Sequence, residues 1–232
     1  MLFPRHAMCA SRRASRLVCE DVLTPGLAVV IYRTCYGSDA EWAEMMRLMR
    51  EWAAESMEYC NGQFVLDDMT WTVFDDKERV DGADTVTVRH HFKTWAALAI
   101  HDELPLPQQH SAGVERAPDR KCRSPRYTYC VQIDVESLKS ALHGSHAPVD
   151  RSRKRQAWVK LIDKDWLPLS EQSFNPSRRP DADLYEPIEG VTEYHVGWVK
   201  CPLADVFTDS YADVFDLVSF TVDYCRPPAM VA

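Results

Sequence analysis

Two charged side chains stand inside runs that otherwise read as buried strand, and they are the first place to look for chemistry. Arg33 follows Val29, Val30, Ile31 and Tyr32, and Asp134 sits near the end of the alternating stretch 127–135. Either charge is costly to bury without a partner. If the two strands are neighbours, Arg33 and Asp134 form a buried salt bridge or line a pocket for an acidic or polar ligand, with Tyr36 and Gln132 beside them. A salt bridge that fixes strand register is the simpler reading.

Other constellations are weaker. Arg89 and His91 lie early in a helical pattern, but a general base needs a positioned partner. The chain has no G-x-S-x-G and no cysteine in a recognisable nucleophile context. His143 and His146 have H-x-x-H spacing, yet Gly144 and Ser145 between them read as a helix end, and no third ligand stands near. No metal site is expected. Cys201-Pro202 resembles the Cys-Pro dipeptide of haem-responsive proteins, but one such dipeptide is near chance with eight Cys and 14 Pro, so no cofactor is expected. The basic runs at Arg12-Arg13 and 151–155 lack interleaved aromatic residues, and Tyr127 with Tyr129 comes without an RNA-recognition signature. Nucleic acid is not expected as a partner.

The elements that must position these residues follow from hydrophobic period. The β-branched run at 28–35 predicts a central strand. Gly37 turns the chain, and Ser38 with Glu41 fits a capping box. Trp42, Met45, Met46, Met49, Trp52 and Ala53 then repeat at helical spacing, a core face rather than a ligand surface. Further strands are predicted at 70–75, 127–135, 158–163, 194–200 and 215–224. Helices are predicted from Asp84 to about His101, over 136–143, and from Pro202 to Phe207. Proline-rich connections occupy about 102–126 and 165–192.

Summed, the order predicts an α+β domain over 25–228: a mixed, mainly antiparallel sheet backed by helices on one side, arranged as two ferredoxin-like halves. Residues 1–24 read as a basic, disordered tail, with a mitochondrial presequence as the alternative because 1–19 hold four Arg and no acid. No apolar run approaches the roughly 20 residues of a membrane span. The formal net charge of −8 argues against broad nucleic-acid affinity. None of the eight cysteines forms C-x-x-C and no secretory segment precedes them, so the chain reads as reduced and cytoplasmic.

With these motifs in place, the chain resembles a large family of uncharacterised fungal (ascomycete) proteins. The landmarks are Ile31-Tyr32-Arg33-Thr34 with Tyr36, Arg89 with His91-Phe92 and Trp95, Ile133-Asp134 with Glu136-Ser137-Leu138, Trp158-Val159-Lys160, Gly197-Trp198-Val199-Lys200, and Arg226-Pro227-Pro228. Their order carries the resemblance. It implies a fungal intracellular protein and no particular activity. Three functions stand open: a non-catalytic domain that binds a protein or small molecule, an enzyme with a polar sheet pocket around Arg33 and Asp134, and a structural subunit that pairs as a homodimer.

Overall fold

The computed structural model describes residues 28–59, 69–103, 125–142, 157–172, 185–203, 206 and 224–230. The basic tail, His143, His146, the run 151–155, most of the first long connection and nearly all of the strand expected at 215–224 lie outside the described residues.

Apolar residues on both sides make β1 (Ala28–Arg33) the centre, with all six residues buried. It pairs in parallel with β2 (Thr70–Phe74) and with β3 (Tyr129–Ile133). β3 pairs antiparallel with β4 (Trp158–Asp163), and β4 antiparallel with β5 (Trp198–Pro202), giving the order β2-β1-β3-β4-β5. The mixed sheet with helices is the expected α+β class. Among the described strands two pairings are parallel and two antiparallel, rather than mainly antiparallel, and the wholly parallel β2-β1-β3 part gives no support for two ferredoxin-like halves.

Helices cover both faces, which corrects the one-sided backing. Ser38 Oγ accepts from the Glu41 amide (3.2 Å) and starts α1 (Asp39–Tyr59). Its Met45, Met49, Trp52 and Ala53 pack on Val29, Ile31 and Val131. After a single turn, α2 (Lys77–Val80), Asp84 caps α3 (Thr85–Glu103) through the Thr87 amide at 2.8 Å. Val88, Phe92 and Ala96 of α3 pack with Val30, Tyr32, Cys130 and Ile162 on the opposite face. The step from β1 to β2 and the step from β2 to β3 cross the sheet in opposite directions. Right-handed crossovers then require helices on opposite faces.

Two boundaries also differ from expectation. Residues 125–128 form the short helix α4 (Pro125–Thr128), so Tyr127 leaves the strand alternation and packs on the α3 side while Tyr129 faces α1. Pro202 pairs with Trp158 at the end of β5, and residues 204, 205 and 207 of the helix expected to start there lie outside the described residues.

The stretch 185–197 lies over β4 and β5 with little regular structure, and two arginines tie it down. Arg89 donates Nε–H to the Asp163 carbonyl (3.0 Å) and Nη2–H to those of Gly197 (3.1 Å) and Val196 (3.4 Å), with its guanidinium over Trp166. Arg226 donates to the carbonyls of Glu186 (2.7 Å), Val191, Tyr194 and Glu193. Gly197 adopts φ +76°, and a Cβ there would stand 2.5 Å from both Arg89 Nη2 and Trp166 Cδ2. The left-handed backbone costs any side chain roughly 1–2 kcal/mol, and overpacking adds about 1–3. Gly197→Ala should therefore lose about 3 kcal/mol in urea unfolding with an unchanged slope; a loss under about 0.5 kcal/mol would contradict this packing.

Candidate functional site

Arg33 stands at the C-terminal ends of β1 and β2, from which the following helices part to opposite faces. Nη1 donates to Asp75 (3.2 and 3.4 Å), Nη2 to Asp39, and Nε to the Cys35 carbonyl (3.1 Å). The guanidinium lies 4.4 Å from the Tyr36 ring centroid and 5.1 Å from that of Trp42. Burial would lower the Arg33 pKa, and Asp39 and Asp75 outweigh it to raise it. All three of its nitrogens are engaged and two carboxylates answer its charge, so it serves as a plug rather than a receptor.

Arg33 does not pair with Asp134, and strand parity gives the reason. The partner of Arg33 across the sheet is Ile133, on the α1 side. Asp134 follows one residue later and turns the opposite way. Of the four residues expected to converge, Gln132 and Asp134 belong to the α3 side and Tyr36 packs against the core on that side, whereas Arg33 leaves β1 on the α1 side and meets only the Tyr36 ring.

Asp134 has two tasks there. It caps α5 (Val135–Leu142): Oδ1 accepts from the Ser137 amide (2.9 Å) and hydroxyl (2.9 Å), and the Asp134 amide donates back to Ser137 Oγ (2.8 Å). This is a reciprocal capping box with serine at the third position. Oδ2 meets Lys160 Nζ at 3.1 Å. Burial alone would raise the Asp134 carboxyl, but the Ser137 amide and the Lys160 ammonium outweigh it and hold it below the ordinary value.

Lys160 is the centre of the arrangement. Its side chain is 12% exposed, and Nζ stands 3.6 Å from Glu189 Oε1 and 4.7 Å from the Trp198 ring centroid. The other Glu189 oxygen accepts from the Thr85 hydroxyl in the first turn of α3. Glu189 is delivered by a two-residue turn in which Ile188 and Val191 exchange both backbone hydrogen bonds. Glu189 at φ 50° and Gly190 at φ 83° have the positive values such a tight hairpin demands.

Gln132 is the cross-strand neighbour of Lys160 on this face. Its Nε2 donates to the Ala83 carbonyl (2.8 Å) and to Thr34 Oγ1 (3.2 Å), and the carbonyl fixes the amide's orientation because it can only accept. That leaves Gln132 Oε1 buried without a partner, and Trp198 Nε1 is in the same state. Buried polar atoms are paired in the great majority of cases, and an unmet one costs about 1–3 kcal/mol.

Lys160, Glu189, Thr85 and Trp198 were not indicated by their sequence context. Lys160 reads as an ordinary outward strand residue, and Glu189 falls in a connection with no periodicity. The one available signal was D-x-x-S over Asp134–Ser137, a cap that marks Asp134 as structural. Arg89 binds carbonyls, as above, and His91 Nδ1 shares a 2.8 Å hydrogen bond with the Tyr32 hydroxyl within an aromatic cluster with Phe74. Burial holds the Cys130 thiol well up and pushes that of Cys35 to about 11. Among the described residues no cluster of three or more His, Cys, Asp or Glu has the geometry to hold a metal, and no helix is long and apolar enough to cross a membrane.

Capping and ion pairing at Asp134 are separable. Asp134→Ala removes both and should cost about 2 kcal/mol, whereas Asp134→Asn keeps the cap and should cost about half as much. A carboxyl held below its ordinary pKa contributes stability that is whole above about pH 4 and fades as pH falls through the folded value. Wild type and Asp134→Asn should therefore differ at pH 7 and converge near pH 2 in denaturant unfolding; a constant gap would contradict the pairing. Comparison of the chain with family models, curated proteins and solved structures finds no match.

Proposed function

We propose that this protein is a non-catalytic binding domain for a small polar molecule, held on the α3 side of the sheet around Lys160. One observation carries the reading. An acceptor, Gln132 Oε1, and a donor, Trp198 Nε1, both lie buried without partners: Gln132 stands directly across from Lys160 in β3, and Trp198 lies diagonally from it in β5, where Lys200 is the direct partner, with its ring centroid 4.7 Å from Lys160 Nζ. A ligand offering one donor and one acceptor would meet both and regain their desolvation cost. The desolvated lysine between Asp134 and Glu189 supplies fixed charges to orient it. The raised pKa values of the Cys35 and Cys130 thiols and the hydrogen bond between His91 and Tyr32 favour binding over catalysis. The free thiols of Cys35 and Cys130 support a reducing, intracellular setting for this reading, as does the resemblance of the sequence landmarks to the fungal family.

The test is a thermal-shift screen of the full chain against small polar metabolites, beside Lys160→Met. A ligand at 100 times its dissociation constant stabilises by about 2.7 kcal/mol. At least one compound should raise Tm in wild type and leave folded Lys160→Met unmoved. Hits that persist in Lys160→Met would place binding elsewhere, and a silent screen would turn the search to protein partners.

A further inference from the structure

Glu189 is an unusual residue for its position. In a two-residue hairpin with positive φ at both central residues, as here, Gly, Asn and Asp are the types that adopt it cheaply. Gly190 supplies one of the pair, but Glu189 takes φ 50° with a long side chain. That conformation is retained only where the surroundings compensate. The compensation here is the carboxylate, which spans two elements: Oε2 takes the Thr85 hydroxyl and Oε1 faces the Lys160 ammonium at 3.6 Å. The second of those distances is longer than a hydrogen bond, so the ammonium is not fully engaged. Beneath it, the Trp198 indole has its own N–H unmet and is 4% exposed.

Lys160, Thr85 and Trp198 thus form a seat with three donors, of which Glu189 fills one and approaches another. The seat already holds a negative charge, so a ligand carboxylate replacing that of Glu189 would leave the charge balance with Lys160 and Asp134 unchanged. A phosphate would add charge beside Asp134 and is disfavoured. The free Gln132 Oε1 next to Lys160 asks for a donor close to that carboxylate.

We propose that the ligand of this site is a small carboxylic acid bearing an adjacent hydroxyl or amino group, and that Glu189 is its built-in stand-in, seated on Lys160 and Thr85 until the ligand displaces the hairpin tip. This rests on the binding reading above and gives it a chemical class. It also makes the site self-limiting, because the ligand competes with a tethered carboxylate at high effective concentration.

The experiment titrates glycolate into the full chain at constant ionic strength and follows the indole N–H resonance of Trp198, assigned with Trp198→Phe. Glu189→Gly relieves the left-handed backbone and vacates the seat, so it should bind glycolate at least tenfold more tightly than wild type. The double variant Glu189→Gly with Lys160→Met should lose that gain. Glu189→Gln keeps the side-chain length and gives the same comparison if the glycine variant does not fold. Equal affinity in wild type and variant, or no binding to either, overturns the stand-in role. A different screening hit that needs Lys160 but is indifferent to Glu189 would overturn it too, while leaving the binding function standing.

Discussion

A guanidinium buried without a carboxylate holds this fold in its working shape. Arg89 is 8% exposed, burial draws its pKa below the ordinary arginine value, and its direct hydrogen-bond partners are the carbonyls of Asp163, Val196 and Gly197. Such a charge survives burial because its planar fork meets several oxygens at once. The consequence is topological. One side chain of α3 binds the end of β4 to the chain entering β5, so the stretch that carries Glu189 is fixed to the helix that carries Thr85. Gly197 exists in this geometry because any Cβ would occupy the guanidinium's space.

Arg33 and Arg89 therefore do opposite things to potential sites. Arg33 ties Asp39 and Asp75 together at the ends of β1 and β2, with its guanidinium against two aromatic rings. Arg89 fixes the layer over β4, and beneath that layer Gln132 Oε1 and Trp198 Nε1, beside Lys160, lack hydrogen-bond partners. A plug at one position and residual polarity at the other is a division of labour that only the side-chain contacts disclose.

Much of the fold was legible in the residues. Val29 to Ile31 announced a central strand, Ser38 with Glu41 a helix start, and Val88, Phe92 and Ala99 an inward helical face, because each rests on local period or capping chemistry; Leu98, the alternative to Ala99, is exposed. The side of the sheet taken by α3 was not legible, since it depends on β3 lying on the far edge of β1 from β2, a long-range fact. Nor was the partner of Arg33: charge inside a strand implies a partner but does not name it, and Asp39 and Asp75 lie outside the strands that drew attention. Asp134 misled for a related reason. It is charged and near a strand end, but its strongest contacts are the cap it forms with Ser137, three residues on. The site was hidden because Glu189 comes from a stretch with no periodic signal, held by arginines whose targets are backbone carbonyls and leave no trace in sequence.

Arg89 fixes the 185–197 layer without supporting the central sheet. Native-state hydrogen exchange on Arg89→Lys tests it most directly, because lysine keeps the charge and loses the fork. The prediction is a steep loss of protection at the amides of Ile188 and Val191, which bond each other in the hairpin, with Val131 in β3 little changed. Equal loss at all three, or full protection of the hairpin, would contradict it.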